Sequence, residues 1–233
     1  MASAPASTPE NANQTAPSQK GAAEETVYDR IQTDIGNGTF SSGTRLKVQE
    51  LADRYGTSAI PVREALRQLQ GEGLVIIAPN RGATVAGLNR EMMSDIYEVL
   101  QLMEPYFVRA FANTCSEADL KRLEAINAVI AEIPVNDKAA FNRHDQAFHE
   151  TIAGKHYNGR ALKIWNNQRK MLNTLSLQLP VSKARHQAIL TEHTALIAAF
   201  WDNDEERAVE VANRHVSAAG KHMYAQMGGR GTP

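Results

Sequence analysis

Four side chains in the second half of the chain have the types and spacing of a metal-ligand set. The string NRHDQAFHETIAGKHYN sets Asp145 and His149 four residues apart. On an α-helix that spacing puts both on one face, one turn apart, about 6 Å along the axis. His193 stands in ILTEHTALIAAF and His215 in ANRHVSAAG. Each has apolar residues three or four positions away, Ile189 and Ile197 for the first, Val211 and Ala219 for the second. Both imidazoles therefore turn toward a helical interior. Three imidazoles and a carboxylate converging in a bundle core form a transition-metal set. Spacing alone leaves another reading open, because a histidine on an apolar face is more often a hydrogen-bonded core residue. The other histidines, His144, His156, His186 and His222, read as surface or structural.

Helices must position these residues, and beyond Asn89 every pattern is helical. Six helices are expected near residues 90–113, 116–133, 137–153, 157–178, 184–202 and 204–226. The breaks have local causes. Ser116 is an N-cap with Asp119 three residues on; Pro134, Gly154 and Pro180 end three helices; Asn203-Asp204 starts the last. Pro105 predicts a kink inside the first. No repeat of fixed period is visible.

The segment before them has a different pattern. Val27, Ile31 and Ile35 make an apolar stripe on a short helix that Gly36-Asn37-Gly38 ends. SSGTRL reads as a turn. Val48–Tyr55 is a second helix, closed by Gly56. A third starts at a Thr57 or Ser58 cap with Pro61 in its first turn, and shows Arg63, Arg67 and Gln68 outward. LVIIAP and ATVAGL then form a β-hairpin with Asn80, Arg81 and Gly82 at its tip. The expected fold class is mainly α: a winged helix-turn-helix over 26–89, then an antiparallel six-helix bundle over 90–227. Residues 1–25 have almost no large apolar side chains and read as a disordered tail, with a short flexible tail at 228–233.

Bulk composition excludes several classes. The net charge of −1 gives no sign of a polyanionic partner, so any DNA contact is local. Residues 26–90 hold eight Lys/Arg against six Asp/Glu, and residues 91–227 fifteen against seventeen. Cys115 is the single cysteine, so no disulfide forms within the chain, which fits a reducing cytoplasm. No apolar run approaches a membrane span, and the N-terminus is not a secretory signal. No phosphate loop, dinucleotide fingerprint or nucleophile motif occurs.

The string LADRYGTSAIPVREALRQLQGEGLV resembles the GntR family of bacterial regulators, whose motif is close to LA-x-x-x-G-(V/T)-S-R-x-P-V-R-E-A-L-x-x-L-x-x-E-G-L. That resemblance implies a winged helix that reads double-stranded operator DNA. The second helix of the pair enters the major groove with its N-terminal residues, here Ser58, Ala59, Ile60, Pro61 and Arg63, while the hairpin tip at Arg81 and Gly82 grips the minor groove or phosphate. The family usually has Arg where this chain has Ala59. Arg45, Arg63, Gln68 and Arg81 remain as candidate contacts. The strings DQAFHETIA and EHTALIAAFWDNDEERAVEVANRH resemble the FCD effector domain of the FadR-like branch. Six helices, rather than seven, suggest its VanR-like subgroup. In many such domains an Asp and three His bind a divalent metal, and the resemblance carries those roles onto Asp145, His149, His193 and His215. Zinc is the first expectation, with nickel and manganese as alternatives.

A family Arg that helps hold a ligand carboxylate is replaced by Leu100, with Glu104 retained; Arg143 and Arg169 are candidate substitutes. The implied protein is a cytoplasmic, homodimeric repressor of a metabolic operon. It would bind an inverted repeat and answer a small organic acid. Two other readings compete. One is a metal-dependent enzyme built on the Asp/His set, and the other is a signalling module whose winged helix binds protein.

Overall fold

Thr26 caps the first helix: its hydroxyl accepts from the Asp29 amide while the Asp29 carboxylate accepts from the Thr26 amide. This reciprocal cap satisfies two amides that the helix itself leaves without partners. In the computed structural model, which describes Met1 and residues 25–79, 82–87 and 89–227, α1 (Val27–Gly36) follows that cap. The expected tails, apart from Met1 and Glu25, lie outside the described residues, as do Asn80 and Arg81 at the hairpin tip.

α2 (Val48–Tyr55) ends at Gly56, whose φ of 63° is the left-handed cap that glycine takes without steric cost. α3 (Ala59–Gly71) follows, with Val62, Ala65, Leu66 and Leu69 buried. The hairpin is β2 (Val75–Ala78) and β3 (Gly82–Val85), paired antiparallel with Ala78 opposite Gly82. SSGTRL is not wholly a turn. Arg45–Leu46 forms β1, which pairs with Thr84 and Ala83 and makes a three-stranded sheet in the order β1-β3-β2. Two residues are too few to show an alternating period.

The helical part runs α4 (Arg90–Ala112), α5 (Glu117–Glu132), α6 (Lys138–Ala153), α7 (Gly159–Ser176), α8 (Lys183–Trp201) and α9 (Glu205–Gln226). Capping side chains of Asn89, Ser116, Asp137, Asn158, Ser182 and Asp204 start them. α4 continues through Pro105 without a break. It packs chiefly on α9, and α8 packs on both α9 and α5.

Two apolar clusters form the core. One joins Val108, Phe111, Phe148, Leu196 and Phe200 at the far end of the bundle. The other is shared by the winged helix and the near half of the bundle, running from Ile31, Ile35, Leu69 and Val75 to Trp165, Leu172, Leu175 and Met223. α7 makes this junction. Gln32 donates to the Thr174 hydroxyl and Gln178 to the Ile35 carbonyl. Met171 sits so close to Gly73, at φ 81°, that a Cβ there would stand 2.9 Å from its sulfur.

Candidate metal centre and nucleic-acid interface

The i, i+4 pair on α6 and one histidine each on α8 and α9 meet in the bundle interior. His149, His193 and His215 are all buried, and one ring nitrogen of each lies within 4.8 Å of the other two. Asp145 Oδ1 stands 3.8 Å from His149 Nε2 and 3.7 Å from His193 Nε2. The Nε2 atoms of His149 and His193 are buried with no hydrogen-bond partner in the protein.

Each imidazole is tethered by its other nitrogen. His149 Nδ1 donates to Glu104 Oε2 at 3.0 Å, His215 Nδ1 to Glu192 Oε2 at 2.7 Å, and His193 Nδ1 to Asn127 Oδ1 at 3.3 Å. An ionised carboxylate only accepts, so the glutamate partners place the ring hydrogen on Nδ1. In a neutral ring that leaves the Nε2 lone pair free toward the shared centre, the arrangement of ligating histidines held by outer partners. Phe148 stacks on His193 with ring centres 3.8 Å apart and fixes its plane.

Charges in the site are set by burial and by each other. Burial opposes ionisation of Glu104, but His149, Arg169 and the Trp165 N–H outweigh it and bring its pKa down to about 2. Burial likewise opposes the charge on Asp145, yet His149 when it is protonated, and Arg169 throughout, hold its carboxyl well below the usual range. Arg169 Nη2 binds Asp145 Oδ2 at 2.7 Å, which leaves Oδ1 for the histidines. Burial pushes His193 far below the ordinary histidine range and lowers His215 as well, favouring neutral rings. His149 and His193, orphaned at Nε2 and tethered at Nδ1, fit a transition ion together with His215, whose ring nitrogen lies within 4.8 Å of theirs.

The centre borders a partly open cavity of about 70 Å³, room for a small ligand. Leu100, Phe141, Leu172 and Ile189 give it apolar walls, and Arg169 and Arg185 give it positive charge. Arg185 is buried and binds Glu192 and the His215 carbonyl. Of the two substitutes named for the missing arginine, Arg169 is in the cavity. Arg143 is exposed and lines a separate groove between α1, α6 and α7. Sequence reasoning missed Arg185, Glu192 and Asn127. Glu192 carried a signal, since it precedes His193 in the matched E-H string; Asn127 carried none.

On the winged helix, Ser58, Ile60 and Arg63 are exposed at the start of α3, with Ala59 and Pro61 half-exposed between them. Arg45 on β1 is exposed, and its guanidinium lies near Gly82 at the base of the hairpin tip. Gln68 stands apart from this group: it is in the last turn of α3, with its amide 3.4 Å from Glu72. Arg81 lies outside the described residues.

A winged helix joined to a helical bundle with a buried donor set and a charged cavity defines a ligand-responsive, DNA-binding transcription regulator. Residues 23–85 match the family described as bacterial regulatory proteins, gntR family, and residues 95–218 match the FCD domain. The chain belongs to the GntR family, with an FCD effector domain. It is 30% identical over 213 residues to the HTH-type transcriptional repressor GlaR of Escherichia coli K12, covering 81% of this chain and 90% of that one. It is 29% identical over 195 residues to the gluconate operon transcriptional repressor of Bacillus subtilis 168, covering 81% and 79%. The fold matches that of E. coli McbR/YncC with a TM-score of 0.71 at 18% identity, over 86% of this chain and 96% of that one. The two sequence relatives are named transcriptional repressors, and with the family this sets the enzyme reading aside. Among the described residues no helix is long and apolar enough to cross a membrane.

Proposed function

We propose that this chain represses a metabolic operon as a homodimer on an inverted-repeat operator, and that a small carboxylate in the bundle cavity changes its hold on DNA. The observation that carries this reading is the position of α7. Arg169 stands in the cavity, and the next residue, Lys170, donates to Glu72 at 3.1 Å. Glu72 caps the C-terminus of α3 and also accepts from the Tyr28 hydroxyl at 2.6 Å. A ligand that draws on Arg169 therefore acts on the helix that grips the DNA-reading unit. Such a ligand shifts the equilibrium only as far as its affinities for the two arrangements differ.

Asp145, His149, His193 and His215 would hold one divalent transition ion, zinc by donor type, with nickel and manganese as alternatives. When bound, the ion supplies a Lewis-acidic centre that favours a carboxylate ligand. Arg169 and Arg185 bring guanidinium groups to the cavity, where Leu100 offers none, beside its apolar walls. Relatives that are named repressors of gluconate and galactonate operons support the acid class. The test is unbiased selection of bound DNA, repeated with a panel of organic acids. An enriched palindrome whose binding changes with one acid is expected. Enrichment that no acid alters, with no acid raising the melting temperature, would remove the effector reading.

A further inference from the structure

The tip of α3 is apolar where a DNA reader is ordinarily polar. Ile60, in the first turn, is 65% exposed. Ile60, Arg63 and Arg67 are all exposed and follow one another at i, i+3 and i+7, a single stripe along the helix. Ala59 beside it has no donor or acceptor, and the Ser58 hydroxyl makes no capping bond. Among the described residues Arg63 has no hydrogen-bond or ion-pair partner, so its guanidinium is available.

An α3 that enters a major groove presents this stripe to base edges. Neither Ala59 nor Ile60 can hydrogen-bond with its side chain. The apolar group that bases display in that groove is the thymine C5-methyl, and apolar side chains pair with it. We infer that Ile60, with Ala59 beside it, is a specificity-determining thymine reader. Each operator half-site then carries a thymine whose methyl packs on Ile60, next to the base or phosphate that Arg63 meets. The inference rests on the DNA-binding reading above and adds which base is read, and by what chemistry.

The test begins with selection of bound duplexes by the full chain, the Ile60→Ser variant and the Ile60→Val variant. Wild type and Ile60→Val should enrich thymine at one fixed position of each half-site, and Ile60→Ser should lose that preference while keeping the rest of the sequence. Deoxyuridine is then placed at that position, which deletes the methyl and keeps the O4 acceptor. Wild-type affinity should fall roughly fourfold per methyl, the worth of one buried carbon, and Ile60→Ser affinity should not change. Equal wild-type affinity for the two duplexes, or an unchanged thymine preference in Ile60→Ser, overturns the inference and leaves the DNA-binding reading intact. A selection that enriches nothing overturns both. Ile60 is exposed, so equal melting temperatures should show that the variants fold alike.

Discussion

Each imidazole of the triad is held from behind by an acceptor on another helix, which sets its ring toward the shared centre. Protein purified without an affinity-metal column should carry one divalent ion per chain, and chelation should lower its melting temperature. Less than about a tenth of an equivalent by elemental analysis, with no stabilisation on adding zinc, nickel or manganese, would leave the four residues as core polar groups. The same burial gives a pH dependence. His193 and His215 have folded-state pKa values below their unfolded ones. The folded chain therefore binds fewer protons, and stability is lost as pH falls through the unfolded histidine value of about 6.5. The chelated protein should melt progressively lower from about pH 7.5 to about pH 5.5, and His193→Gln should flatten that slope; an unchanged slope would remove His193 as its source. On the DNA side, Arg63→Ala should cost roughly 1–3 kcal/mol of specific binding in an operator titration. That Asp145 and His149 share a helix face and that His193 and His215 turn inward was legible from i, i+4 spacing and apolar flanks. Spacing left core histidines as the other reading, and only the family resemblance joined the four into one candidate set. Glu104 on α4 and Asn127 on α5 reach His149 and His193 from other helices, a pairing that no spacing along one segment encodes.

Helix limits were legible to within a few residues, because the caps that start them are local chemistry. β1 was not, since its pairing comes from β3 and not from its own two residues. The interlock of α7 with the winged helix was also hidden, because it depends on long-range packing of Met171 on Gly73 and of Lys170 on Glu72. Glu72 is buried and accepts from three side chains. Glu72→Ala leaves the Tyr28 hydroxyl without its acceptor and should cost about 1–3 kcal/mol in denaturant unfolding. Lys170→Met, at an exposed position, should keep the fold and reduce the change in operator affinity that an effector causes. An unaltered effector response in Lys170→Met would mean that α7 signals through its apolar contacts instead.

A single winged helix reads only a few base pairs, and two related by a dyad read a palindrome. Light scattering at micromolar concentration should therefore give a dimer, and operator affinity should fall steeply with salt as phosphate contacts release counterions. A monomer that holds one half-site tightly would count against this assembly. The shared apolar cluster has a thermodynamic consequence of its own. Ile31 and Leu69 belong to the same continuous core as Trp165 and Leu175. Neither part can lose its packing without exposing the other's, so the winged helix should not melt ahead of the bundle half it packs on, and calorimetry should show no separate early transition for it. Amide hydrogens in α3 should then exchange through the same global opening as those in α7. Stabilising the bundle from within would slow exchange in the DNA-reading helix, some distance from where the ligand sits.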